Sequence, residues 1–285
     1  MATEINEKID CSSEYDALKR VVVCKPSYMS IDKIINETQK HYAEENIDVE
    51  LALKQHGQFV KAMEENGVEV IELPAFENMP EQVFTRDIGF TIGSEIFVGE
   101  MSCGVRQGEE KVLKQWLINN KTTYKDLTRA EIEGGDVLID KRTIFVGISE
   151  RTSLDSVMQL RELVDSSFEI LPVPFNSKYL HLDCVFNILS DKEALIYPDA
   201  FMKNELELLA SRYELIEVSS KEQFTMGTNV LSLGNRKVLS LPVNQDLNEQ
   251  LRSRGYTVTE IDLSEIIKSG GSFRCCSLPL VRMCE

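Results

Sequence analysis

The chain contains no apolar run near the roughly 18 residues that read as a bilayer-spanning helix. Its first ten residues, MATEINEKID, lack the basic-then-apolar order of a secretory leader. No Pro-, Gly- or Ser-rich stretch breaks the 285 residues, so one domain over 1–285 is expected. Histidine is scarce, with 3 in all. The 7 cysteines (Cys11, Cys24, Cys103, Cys184, Cys275, Cys276, Cys284) form no CxxC pair. An odd count without paired spacing argues against a disulfide framework and against a zinc site, and makes the cytosol the expected home. Basic residues are also in short supply: Lys+Arg is 31 against 47 Asp+Glu, a net charge of −16. Nucleic acids and anionic membranes need a basic face, so neither is an expected partner. The balance suits a cationic small molecule, or simply solubility. With 42% hydrophobic and 27% charged residues, the composition is that of a folded globular protein.

What is present is a weak internal repeat. Asp136 is followed by Val-Leu-Ile, a polar turn at residues 140–142 and Thr-Ile-Phe-Val-Gly, a hairpin by composition. Leu154, Val157, Met158, Leu160 and Val164 then recur at helical spacing, and residues 168–173 read as a strand. The same strand–strand–helix–strand order follows Asp183 and Asn229, and in part Asp87. The last helix of the series ends at Gly255, a good C-cap. Cys275 opens a final hairpin strand over residues 277–281, and these five anchors lie 46 to 49 residues apart. The parts missing after Cys275 are found at the other end: a strand at residues 18–24, a helix through Val49, Ala52, Leu53, His56, Val60 and Met63, and a strand at residues 68–73. The pattern predicts a five-bladed α/β propeller closed by pairing of the N- and C-terminal strands. The alternative is an ordinary α/β sheet whose alternation mimics a period.

In a ring the anchors and their neighbours (Asp87, Glu133, Asp136, His181, Asp183 and Cys275) meet at one mouth. A thiolate is a strong nucleophile, and an imidazole transfers protons near neutral pH. Several carboxylates suit a planar cation such as a guanidinium, which offers N–H donors in fixed directions. Each residue also has a plainer reading. His181 precedes an apolar strand, where a core histidine is the default, and His56 lies on an apolar helix face. Asp87, Asp136 and Asp183 could each cap a turn. Cys24, Cys103 and Cys184 read as small core residues. Arg106 and Arg151 read as surface charges.

Four segments resemble the signatures of the guanidine-modifying superfamily, which includes dimethylarginine dimethylaminohydrolase, arginine deiminase and the amidinotransferases. They are Phe84-Thr85-Arg86-Asp87, Glu133-Gly134-Gly135-Asp136, His181-Leu182-Asp183, and Gly270-Gly271 with Arg274-Cys275-Cys276-Ser277-Leu278-Pro279. Ser13-Glu14-Tyr15 is similar to the usual N-terminus. The resemblance runs from about residue 13 to the end, in order, and implies the five-bladed ββαβ propeller. It implies Cys275 as nucleophile and His181 as general acid/base, with Glu133 in the catalytic set. Glu133, Asp87 and Asp183 would bind the guanidinium, Arg151 and less clearly Arg106 the substrate carboxylate, and Asp136 would support from behind. The implied reaction passes through a covalent thiouronium and releases citrulline and an amine, with no metal or organic cofactor. Arg86 stands where dimethylarginine enzymes tend to carry an acidic residue. The short chain favours those enzymes over the longer deiminases; deiminase and amidinotransferase activity, or a non-catalytic ribosome-binding module of this fold, are the alternatives. Residues 27–40 are a candidate cover for the mouth.

Overall fold

The structure is a computed structural model that describes residues 9–284. Most of the stretch read for a leader, and the two ends of the 1–285 span, lie outside the described residues. The chain enters on β1 (Ala17–Cys24), passes α1 (Glu37–Tyr42) and α2 (Val49–Glu65), and returns on β2 (Glu69–Leu73). Four units then follow in one order. The first is β3 (Gly89–Ile92), β4 (Glu95–Val98), α3 (Glu109–Asn119) and β5 (Tyr124–Asp126). The second is β6 (Val137–Asp140), β7 (Thr143–Ile148), α4 (Leu154–Leu163) and β8 (Glu169–Pro174). The third is β9 (Phe186–Ile188), β10 (Glu193–Ile196), α5 (Lys203–Ala210) and β11 (Glu214–Glu217), followed by the short α6 (Ser220–Phe224). The fourth is β12 (Leu231–Gly234), β13 (Lys237–Ser240), α7 (Gln245–Ser253) and β14 (Thr257–Glu260). The chain closes on β15 (Leu278–Met283).

Each unit forms a three-stranded sheet whose first two strands are antiparallel and whose last two are parallel. A hairpin needs only a tight turn, whereas the parallel step needs a crossover, which the helix provides. The fifth sheet is assembled from both ends of the chain: β15 pairs antiparallel with β1, and β1 parallel with β2.

The core shows how the ring closes, because each apolar cluster lies between consecutive sheets. Phe90 and Phe97 pack with Val137 and Val146. Leu138 and Phe145 pack with Val185 and Phe186. Leu189 and Leu195 meet Val230 and Val238, and Leu231 and Leu239 meet Val21 and Val23. Val22 and Leu280 meet Ile88 and Ile96, which completes the circle. The apolar alternation of the hairpin strands therefore serves inter-blade contacts on both faces, and the five-bladed propeller holds.

Two helical faces differ from the sequence expectation. Leu154 and Met158 are exposed, and α4 buries Ser156, Val157, Gln159 and Leu160 instead. In α2 the buried set includes Gln55, Phe59 and Ala62 beside His56. Gln55 is held inside by hydrogen bonds to Asp262 and Ser264, which hydropathy cannot foresee.

Candidate active site

Every anchor lies at the entry to an innermost strand, so the repeat brings Asp87, Asp136, Asp183, Asn229 and Cys275 to one end of the ring. Single helical turns at Gly134–Asp136 and Leu182–Cys184 introduce β6 and β9. Glu133 and His181 sit just before these turns in extended backbone, and both are fully buried. The His181 Nε2 hydrogen bonds Glu133 Oε2 at 2.7 Å, and its Nδ1 lies 3.5 Å from Asp87 Oδ1. Burial alone would lower the His181 pKa. The Asp87 charge, the Glu133 hydrogen bond and the Asp136 charge outweigh it and raise the pKa to about 10. Burial would likewise raise the Glu133 pKa, but the His181 bond and the charges of His181, Arg106 and Arg151 bring it down to about 2. The pair is therefore imidazolium and carboxylate at neutral pH.

Asp136 lies behind this pair and anchors the backbone that carries His181. Its Oδ1 accepts the Leu182 N–H at 2.8 Å and its Oδ2 the Ser149 hydroxyl at 2.7 Å. The two glycines beside it are steric necessities. A Cβ on Gly134 would come 2.2 Å from Arg86 O, and one on Gly135 would come 2.7 Å from His181 Cγ and from Asp87 Oδ1. Gly135→Ala is therefore expected to push the imidazole off its carboxylates. A displacement of about 1 Å costs on the order of 100-fold in rate. Steady-state kinetics beside a circular dichroism melt would check this, and parent kcat in the variant would refute it.

Cys275 is buried at the opposite wall. Asn229 fixes it twice: its Oδ1 accepts the Cys275 backbone N–H at 3.1 Å and its Nδ2 donates to Cys275 Sγ at 3.1 Å. The same sulfur lies 3.6 and 3.8 Å from the Asp183 carboxylate oxygens. Asp183 Oδ2 accepts from Arg274, whose other nitrogens reach Glu14 and the Val137 carbonyl. The Cys184 thiol, expected as plain core, donates to Asp183 Oδ1 at 3.5 Å. Its pKa is raised well above the usual value, first by its contact with Cys275 and then by burial, so it is a neutral neighbour of Cys275.

The arginines are buried, not surface charges. Arg106 clamps Asp87 Oδ2, Glu109 and the Phe84 carbonyl, which occupies its guanidinium. It holds Asp87 in place and, in this structure, has no free edge for a substrate carboxylate. Arg151 donates to the Ile35 carbonyl at 2.9 Å, and its Nη1 lies 3.7 Å from Glu133 Oε1 without a hydrogen bond. Residues 34–39 cross over the mouth: the Asn36 amide bonds the Ser269 carbonyl, and the Gln39 amide bonds Glu81 at 2.7 Å. Glu81 itself is buried, which pushes its pKa up to about 8 despite Arg106. Two donor groups are compact enough for a metal ion, Asp87/Glu133/His181 and Asp183/Cys184/Cys275, each within 4.8 Å. Arg106 and Arg274 already supply the counter-charge for their aspartates.

Sequence reasoning missed three contributors. Asn229 was visible as a repeat anchor, and its 46-residue offset from Asp183 and from Cys275 places it between them. Arg274 was part of a signature without a role. Glu81, only six residues before Asp87, carried no local signal.

A family model described as "N,N dimethylarginine dimethylhydrolase, eukaryotic" matches residues 25–282. The chain belongs to this family. It is 51% identical over 275 residues to the uncharacterised protein YkgA of Bacillus subtilis, covering 96% of each. It is 26% identical to N(G),N(G)-dimethylarginine dimethylaminohydrolase of Mycobacterium tuberculosis, over 92% of this chain and 86% of that one. Among solved structures, the product-bound N-terminal domain of the cyanobacterial arginine dihydrolase ArgZ is similar with a TM-score of 0.85 and 26% identity, covering 94% of this chain and 98% of that domain. The family's guanidine-modifying character and propeller fold agree with the resemblance read from the four motifs. No helix among the described residues is long and apolar enough to cross a membrane.

Proposed function

We propose that the protein is a cysteine-dependent hydrolase that attacks the guanidinium carbon of arginine or an Nω-methylated arginine and forms citrulline. The observation that carries this reading is a pair of buried carboxylates with uncommitted oxygens, one beside His181 and one beside Cys275. Asp87 Oδ1 accepts no hydrogen bond, and Asp183 Oδ1 meets only thiols among the described residues. A buried carboxylate oxygen without a donor is costly, and the N–H groups of a guanidinium would satisfy it. Arg151 is the contact for the substrate carboxylate. Cys275 and His181 are 1% and 0% exposed, so the 34–39 crossing has to shift for entry.

In the reaction the Cys275 thiolate adds to the guanidinium carbon. His181 gives its proton to the departing nitrogen, and the C–N bond breaks to leave a thiouronium on sulfur. The substrate's positive charge opposes the imidazolium, so the bound site lets His181 release and retake a proton. Water loses a proton to His181 and attacks the same carbon. The C–S bond breaks to return the thiolate, and the protonated citrulline gives its extra proton to solvent and leaves. The imidazolium and thiolate end as they began. Glu133 keeps the imidazole oriented, and Asp87 and Asp183 hold the cation.

Offering arginine, Nω,Nω-dimethylarginine and agmatine separately to the purified protein tests this. Citrulline with dimethylamine identifies a dimethylarginine hydrolase, and citrulline with ammonia a deiminase. Ornithine with ammonia identifies an arginine dihydrolase. Ornithine appearing only when an acceptor amine is added marks a transferase. No product from any of them would overturn the hydrolase reading and leave a binding module.

A further inference from the structure

The mouth opposite the catalytic one is closed by the segment before β1. Asp10 bridges to Val281, Cys11 to Gly93 and Ser13 to Asp140, all at the far ends of inner strands. Beneath this plug lies a small recess of about 10 Å³, lined by Cys11, Ser13, Glu14, Arg86, Thr91 and Arg282 among others. That is room for about one water-sized occupant.

The chemistry around the hole is one-sided. Arg86 is 3% exposed, yet its Nε and Nη2 have no hydrogen-bond partner among the described residues. Its sole ion pair among the described residues is a long one, Nη1 to Glu14 Oε2 at 3.7 Å. Arg282 places two nitrogens on the Asp16 and Ser232 carbonyls and leaves Nε unpartnered. Ser13 Oγ accepts the backbone N–H groups of Tyr15 and Asp16, so its own proton is free to donate. Glu14 meets these donors only through that long Arg86 Nη1 contact, and Arg274 and the Ile139 N–H take three of its acceptor positions. Three fully buried cations, Arg86, Arg274 and Arg282, face two buried carboxylates, Glu14 and Asp183. The half-buried Asp16 attracts Arg282 from the rim. The Cys11 thiol is pushed up to about 12 by burial and stays neutral, so it supplies no charge.

We infer that this hole is a binding site for one monovalent, chloride-sized anion, held by Arg86, Arg282 and Ser13. Unpaired buried polar groups in native proteins have an explanation in an ordered water or an ion. A water accepts at most two hydrogen bonds, fewer than the four donors that line the hole: Arg86 Nε and Nη2, Arg282 Nε and the Ser13 hydroxyl. A halide accepts every donor and cancels the surplus positive charge. The site is linked to the reaction centre through Glu14 and Arg274, which holds Asp183, and through the Arg86 N–H, which donates to the Cys275 carbonyl at 3.0 Å. It does not depend on the proposed activity.

Thermal unfolding of the full chain in potassium chloride, bromide and gluconate at equal ionic strength tests the inference. Gluconate is too large for the hole. Chloride and bromide are expected to raise Tm by roughly 2–4 °C for each tenfold increase above the dissociation constant. Bromide-grown crystals are expected to show one anomalous peak between Arg86 and Arg282. Arg86→Met is expected to remove the halide dependence and to be at least as stable as the parent in gluconate, since it deletes the uncompensated charge. Equal melting in all three salts with no anomalous peak, a water only, overturns the site. The parent measurements decide it even if the variant fails to fold.

Discussion

Cys275→Ser is expected to lower turnover by roughly 10⁴-fold or more while leaving the fold intact. Serine has nearly the same shape, and the Asn229 bonds that hold the position accept either element: one goes to the backbone N–H and the other donates to the side-chain atom. The hydroxyl is far less ionised than a thiol, so nothing replaces the attack on the guanidinium carbon. Binding should survive, because Asp87, Asp183 and their arginine clamps are untouched. The variant should therefore melt within a few degrees of the parent and retain substrate affinity by calorimetry, with product formation lost. More than a tenth of parent turnover would remove Cys275 from the mechanism. The proposal would then pass to Cys184, whose sulfur lies within 4.8 Å of it.

The site was readable in sequence because of how the repeat is built. An inner strand must begin at the same height in every blade, so residues 46 to 49 apart share a mouth even with no sequence contact. What spacing could not show was direction. Arg86 adjoins Asp87, yet Asp87 faces His181 while Arg86 lies against Glu14 in the plugged channel. Its departure from the acidic pattern of dimethylarginine enzymes leaves the Asp87 carboxylate in place beside His181. β5 has three residues, Tyr-Lys-Asp, too few to show alternation, and it was not foreseen. α1 and α6 span six and five residues and are marked by caps, Asn36 and Ser219, and not by apolar periodicity. Cys184 looked like core because it is buried, and its nearness to Cys275 comes from the 3D meeting of two blades.

The pH behaviour should be governed by the Glu133–His181 pair, and Glu133→Gln is expected to shift it toward acid. In the parent, the carboxylates hold His181 protonated up to about 10, above its usual 6.5. Stability from this raised pKa is full below 6.5 and is lost as pH rises toward 10. Glu133 has a lowered pKa, so its share is present above 4.5 and is lost as pH falls toward 2. A glutamine keeps the size but removes the charge and the carboxylate that accepts from Nε2. Burial then pulls the imidazole pKa down, opposed by Asp87 and Asp136 alone. At pH 8 to 9 the variant would lack the proton that the departing nitrogen needs, and losing general-acid assistance costs about 10²–10⁴-fold. The profile of kcat/KM against pH checks this, because it reports the free enzyme. The alkaline limb should move to lower pH in Glu133→Gln, and urea unfolding should lose the parent's decline between pH 6.5 and 10. An alkaline limb at the parent position would show that Glu133 does not control the proton on His181. The high imidazole pKa would then rest on Asp87, which lies 3.5 Å from the other ring nitrogen.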